Sequence, residues 1–208
     1  MNGRPDVVPY ITAWSAERIP TPLVTARPRL GIAYADEDLY DRDQEGVLWA
    51  RSLLRQGQGL PEFGRVHPLR QRQAMRRMLC QVCAGPADRN EQGWLWLLSD
   101  YRGDWPGWPE LMGSPHPPLC LPCAGKSVRV CPSLRGRFVA VRVKEPRITG
   151  VLGARYLPHD PLLGPVEQVT VHYRDPAVRW VVASQLLARL HGCTFVDLEA
   201  ELAAHEGQ

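Results

Sequence analysis

Four of the chain's six cysteines fall into two pairs of the same form, Cys80-Gln81-Val82-Cys83 and Cys120-Leu121-Pro122-Cys123, with 36 residues between them. Thiolates three positions apart on one tight turn can reach a single ion, and two such pairs supply the four tetrahedral ligands that zinc prefers. Small residues follow each pair, Ala84-Gly85 after the first and Ala124-Gly125 after the second. They leave room for a knuckle turn in one case and for a helix to open in the other. Four buried free thiols would not need this spacing. A redox dithiol would sit in a thioredoxin-like strand–helix–strand setting, which neither motif has. The spacing therefore points to structural Zn2+ held by Cys80, Cys83, Cys120 and Cys123. Cys131 and Cys193 stand alone and read as small core hydrophobes.

A knuckle, then a strand hairpin, then a second cysteine pair at a helix start is the layout of a treble clef. Over residues 79–126, on the segments LCQVCAGPAD and LCLPCAGK, the chain resembles the zinc-bound frame of HNH-type nucleases. The resemblance implies the metal frame. Those nucleases also carry an Asp-His or His-His pair on the hairpin, to activate water and hold a catalytic cation. Here Asn90 to Asp100 contains no histidine, and His116, the one histidine between the pairs, lies in a Pro-rich loop. The expectation is a non-enzymatic protein, with a diverged nuclease as an alternative. The whole chain is also similar to a group of small proteins from high-GC bacteria, a likeness that implies no activity.

Charge narrows the partners. Only Lys126 and Lys144 are lysines among the 25 basic residues, so arginine dominates a net charge of +3. Arginine suits phosphate and carboxylate recognition, but a GC-rich genome would give the same bias. From Arg65 to Arg77 there are five arginines and no acid, and from Lys126 to Arg155 the only acid is Glu145. These runs flank the cysteine frame. They nominate Arg70, Arg72, Arg76, Arg77, Arg137, Arg142 and Lys144 as contacts to DNA or RNA phosphates. A solvated charged face would look the same in sequence. A competing surface is the Pro/Gly loop at 101–119, where Trp105 and Trp108 are the contacts expected of a protein–protein adaptor. Trp94 and Trp96 share a strand face and read as core.

The elements that must position these residues follow from periodicity and turn chemistry. Residues 1–28 read as an extended lead-in, 30–35 as a strand paired with 46–51, and 56–64 as a loop. Pro68 opens a helix to about Met78, with only Leu69, Ala74, Met75 and Met78 apolar, so that its arginines are expected outside. Gly93–Leu98 is a buried strand, and a second helix runs from the Cys120 pair to about Pro132. Phe138–Lys144 alternates as a strand, is turned by Glu145-Pro146-Arg147 and returns over 148–157, with 166–173 as a further strand. Asp175-Pro176 signals a long helix that buries Val178, Val181, Val182, Leu186 and Leu190 and stops at Gly192. A strand at 194–198 and a weak helical tail follow. The expected fold class is α+β: a treble-clef-like zinc module, a mixed or antiparallel sheet and one long C-terminal helix. Its parts are 1–64, 65–132 and 133–208. No run approaches the ~18 apolar residues of a membrane span and no secretory signal is legible, so no membrane partner and a cytoplasmic location are expected.

Overall fold

The computed structural model describes residues 7–20, 22–134 and 136–206. Residues 1–6 and Thr21 of the expected lead-in and Arg135 of the second basic run lie outside the described residues. Strands β1 (Thr12–Trp14), β2 (Val24–Arg27), β3 (Gly31–Tyr34), β4 (Leu48–Trp49) and β5 (Pro61–Val66) precede helix α1 (Pro68–Arg77). Strands β6 (Arg89–Asn90), β7 (Gly93–Ser99) and β8 (Gly113–Ser114) lead to helix α2 (Leu121–Val130). Two long strands, β9 (Phe138–Tyr156) and β11 (Val181–Val196), enclose β10 (Pro165–His172) in sequence, and helix α3 (Leu198–Glu206) closes the chain. The class is α+β, as expected. Among the described residues no helix is long and apolar enough to cross a membrane.

The expected long helix from Asp175 to Gly192 does not form. Asp175 does cap a helical turn, its carboxylate accepting the Ala177 N–H at 2.8 Å, but the turn ends at Trp180 and the chain continues as β11. Val181, Val182, Ala183, Leu186, Leu187 and Leu190 are all buried. A strand covered on both faces reads as a nearly continuous apolar run, which periodicity cannot tell from a buried helix.

Two pairings also differ from expectation. Phe138–Tyr156 is one strand and not a hairpin. β7 pairs antiparallel with its first part (Ser99↔Phe138 to Trp94↔Val143), and β10 with its last part (His172↔Gly150 to Pro165↔Tyr156). Pro146 falls between the two stretches, where its missing N–H breaks neither ladder. The partner of β3 is β2 and not the 46–51 segment, of which only β4 forms, parallel to β11 at Leu48↔Val182. Residues 61–64, expected as loop, begin β5, which pairs antiparallel with β1.

The chain divides into two compact units. The first comprises Met1–Ile11, Gln73–Ile148 and Ala188–Gln208, and the second Thr12–Arg72 and Thr149–Leu187. Each has its own apolar core. In the first, Leu95 and Leu97 of β7 cluster with Leu119, Leu121, Ala124, Ala140 and Leu198, and Cys80 and Cys123 belong to the same cluster. α3 lies against α2 at Gly125, where a Cβ would come within 2.9 Å of the Leu202 side chain. In the second, Val24, Ile32, Tyr34, Leu48, Tyr156 and Val182 pack together.

Candidate metal centre

The first cysteine pair sits on a turn defined by its backbone. α1 ends at Arg77, Met78 takes a left-handed φ of 49°, and Leu79 bridges Pro86 antiparallel. Inside that bridge the Cys80 N–H donates to Gly85 O at 2.7 Å and the Ala84 N–H to Cys80 O at 2.9 Å. Ala84 closes the turn with φ 61°, a conformation that glycine adopts at lower cost. The loop is tight enough to aim both sulfurs the same way.

Main-chain hydrogen bonds carry the second pair to the first. Gln81 N–H donates to Pro118 O at 3.0 Å, Asp88 N–H to Leu119 O at 2.9 Å, and Leu119 N–H to Leu95 O at 2.9 Å. These bonds stitch the segment before Cys120 between the knuckle and β7. Cys120 is the N-cap of α2, its carbonyl accepting the Ala124 N–H at 2.9 Å, and Cys123 lies in the first turn. The exposed N–H groups of a helix start favour negative charge, which suits thiolates placed there.

The four Sγ atoms lie within 4.8 Å of one another, and Cys83 and Cys120 are 3.8 Å apart. Tetrahedral metal–sulfur bonds of about 2.3 Å require sulfur–sulfur edges of roughly 3.8 Å. The Cys83–Cys120 edge matches that length, and the whole cluster lies within reach of one four-coordinate ion. Cys80 is fully buried and Cys123 nearly so, whereas Cys83 is exposed. Burial pushes the Cys120 thiol up to about 11 and also raises Cys123. Burial opposes ionisation of Cys83 too, but the Gly85 N–H and the neighbouring sulfurs hold its thiol below the ordinary value. Four thiolates this close repel each other, and a coordinated cation removes that cost and deprotonates them. The donor set therefore fits a metal ion, and because cysteines fill all four positions it leaves none open for substrate.

Comparison with known protein families, curated proteins and solved structures gives no match. What the structure supports is a four-cysteine cluster within metal-binding distance, and no similarity to HNH-type nucleases is shown.

The nominated cations do not all face solvent. Arg70 is 4% exposed, and its guanidinium grips the fully buried Glu17 through Nη1 at 2.5 Å and Nη2 at 2.7 Å. Its second Nη2 bond goes to Thr12 O at 2.8 Å. Arg142 is 1% exposed and pairs with Asp88 at 2.5 Å and Glu201 at 2.6 Å. The expectation that these two arginines reach phosphates is therefore corrected: both are buried, and carboxylates occupy them, fully buried Glu17 on Arg70 and partly buried Asp88 and Glu201 on Arg142. Arg72 is half-buried, its guanidinium 4.1 Å from the centroid of the Trp49 ring. Arg76, Arg77, Arg137 and Lys144 are exposed.

The tryptophans divide as well. Trp96 is fully buried and donates from Nε1 to His116 O at 2.8 Å, whereas Trp94 is half-buried under Arg89. Trp108 is buried, with Tyr101 and Trp105 edge-on to it at 6.5 Å and Phe195 at 6.0 Å. Trp105, Tyr101 and Phe195 remain 42–49% exposed around it.

Two polar groupings have no local sequence signal. Arg142 of β9, Asp88 just after the knuckle and Glu201 of α3 form a clamp beside the metal cluster's core. Glu17, His67 and Arg70 form a buried group in the second unit, with His67 Nε2 3.0 Å from Leu53 O and 3.6 Å from Glu17. The carboxylates that pair with Arg70 and Arg142 lie 53 to 59 residues away from them, beyond any spacing rule.

Proposed function

We propose that the chain is a zinc-stabilised, non-enzymatic nucleic-acid-binding protein. The observation that carries this reading is the closed cluster of four sulfurs. An all-cysteine tetrahedral set selects Zn2+ among common ions, and with no open position the ion holds structure rather than activating water. The order knuckle, β6–β7 hairpin, cysteine pair at the start of α2 supports a treble-clef-like frame. Arg76 and Arg77 end the helix that leads into the knuckle, Arg137 immediately precedes β9 and Lys144 lies in its first half. Their exposure makes them the nominated phosphate contacts, and Arg70 and Arg142 are excluded by their own burial and their carboxylate partners. Titration of zinc-loaded protein with duplex DNA, single-stranded DNA and RNA from about 50 mM salt upward tests the reading. Binding should weaken with salt, and the Arg76/Arg77 double alanine variant should lose about 0.9 of log–log slope per duplex phosphate contact removed. Flat titrations with all three would overturn it.

One observation favours a second reading. Tyr101, Trp105, Leu111 and Phe195 are large side chains left in solvent in one unit, three of them around Trp108. Exposed aromatics of this kind suit a protein contact. An adaptor would bind no nucleic acid, and a Tyr101/Trp105 double alanine variant would lose its protein partner.

A further inference from the structure

The second unit has an open surface pocket of about 400 Å3 lined in part by three exposed arginines. Arg27, Arg29 and Arg179 line it, together with Trp180, Ala26 and Pro28. Other arginines of this unit, such as Arg42, Arg51 and Arg70, grip carboxylates. Among the described residues the three at the cavity do not. Arg27 donates only to Tyr34 O at 3.3 Å, and Arg179 to Pro176 O at 3.1 Å, bonds that orient each fork and leave donors over. Three arginines that line one open pocket with no carboxylate partner among the described residues favour an anion there.

Backbone geometry shows that the cavity is built at a cost. Arg29 occupies the turn between β2 and β3, closed by the Leu30 N–H donating to Arg27 O at 3.2 Å, with a φ of +65°. Glycine or asparagine fills such a position more readily, and strain kept at one residue is a pointer to function. Gly31 follows with φ +93°, and a Cβ there would lie 2.1 Å from Arg179 O. Only glycine lets the Pro176–Trp180 turn come this close, and that approach brings Arg179 and Trp180 to the wall. Trp180 is half-buried and packs on the second unit's core. Its ring, with Ala26 and Pro28, gives the cavity an apolar side opposite in character to the guanidiniums. A volume of this size suits a small ligand.

We infer that this cavity binds a small phosphate-bearing ligand with a flat ring, of the nucleoside phosphate class. Guanidinium forks take the phosphate oxygens and the apolar side takes the ring. The inference uses neither the metal nor the flanking cations of the first unit, so the two readings can fail separately.

Calorimetric titration of the zinc-loaded full chain with ATP, AMP, adenosine and inorganic phosphate tests it. ATP and AMP should bind, inorganic phosphate more weakly, and adenosine not measurably. The deciding variant is Arg29→Gly, which removes a guanidinium and relieves the positive φ together. It should keep or raise the melting temperature while weakening ATP about tenfold, the worth of one charge-assisted hydrogen-bonding group. Arg179→Ala should weaken ATP similarly, whereas the Arg76/Arg77 double variant should leave it unchanged. No heat with millimolar ATP, full ATP affinity in Arg29→Gly, or phosphate binding as tightly as AMP would each overturn the assignment.

Discussion

Cys80, Cys83, Cys120 and Cys123 meet in the core of one unit, and Glu17, His67 and Arg70 meet in the interior of the other. Both corners gather ionisable side chains, the second wholly buried and the first with Cys83 at the surface, and they differ in where the balancing charge comes from. The thiolate corner has none of its own and needs a cation from solution, so its folding energy is binding energy. The carboxylate corner carries both signs within the chain. Glu17 takes two bonds from Arg70 and one from the Trp14 N–H at 2.8 Å, and its side chain also accepts the Arg55 N–H at 3.2 Å. The first corner can be switched off by a chelator. The second fails only when a partner is deleted or protonated.

The largest expected effect is at the cysteines. Cys123→Ser should lose the metal, because three ligands and a hydroxyl cannot replace a site whose apparent binding energy is about 10–16 kcal/mol in small zinc modules. Elemental analysis should give one zinc per chain for the native protein and none for the variant, and hydrogen exchange should show α2 deprotected. Cys131→Ser and Cys193→Ser should retain full occupancy, since neither sulfur belongs to the cluster. Native protein purified without chelator and found free of metal would break the comparison at its root.

Next in size is the ion pair. Arg70→Met leaves the Glu17 carboxylate buried without its counter-charge, at a cost of about 3–5 kcal/mol by urea denaturation. The Glu17→Gln/Arg70→Met double variant should recover most of this, because the buried charges leave together. A double variant as unstable as the single one would show that packing, and not charge balance, holds that corner.

Acid should sharpen the contrast. Burial opposes the charge on Glu17, but the Arg70 guanidinium and the Trp14 N–H outweigh it and hold the carboxyl below its ordinary 4.5. Burial, ahead of the neighbouring Arg70 charge, holds His67 below 6.5 and therefore neutral. In both cases the unfolded chain binds more protons, so stability rises with pH across each window. With a chelator present throughout, the urea midpoint should fall as pH drops below 6.5 and again below 4.5. Glu17→Gln should flatten the lower limb alone. A midpoint independent of pH would remove the electrostatic account of this corner.

The two corners also differ in legibility. Cysteines three residues apart announce themselves, because the turn that aims both sulfurs is local and needs no knowledge of the fold. α1, β7 and α2 are readable for similar reasons: Pro68 at a helix start, an apolar strand run, and the small residues Ala124-Gly125 after the second cysteine pair. Arg70 was misread as solvent-facing since its partner lies 53 residues away, and Arg142 was misread in the same way. An arginine on a polar stripe and an arginine in a buried pair look alike until the chain is folded. β11 misled for the opposite reason. Burial on both faces erased the alternation that marks a strand, and a sound Asp175 cap invited the helix that stops at Trp180.

The smallest effect asks how well the knuckle itself is optimised. Ala84 holds a φ of 61° right after Cys83, and a left-handed conformation costs an L-residue roughly 1–2 kcal/mol. Glycine avoids that cost but loses roughly 0.4–1 kcal/mol to the greater freedom of the unfolded chain. Ala84→Gly should therefore stabilise the folded knuckle by about 0.5 kcal/mol, the difference between those two figures. If the knuckle orders only around the ion, that gain appears as metal affinity, about twofold tighter in a competition titration against a chromogenic chelator. Ala84→Val places a β-branched side chain at the same positive φ and should move affinity the other way by a larger factor. The Arg70 variants, measured in the same titration, should leave metal affinity unchanged if the two corners are energetically separate. Tighter binding in Ala84→Val than in Ala84→Gly would mean that packing of the side chain at 84, and not its backbone angle, limits the site.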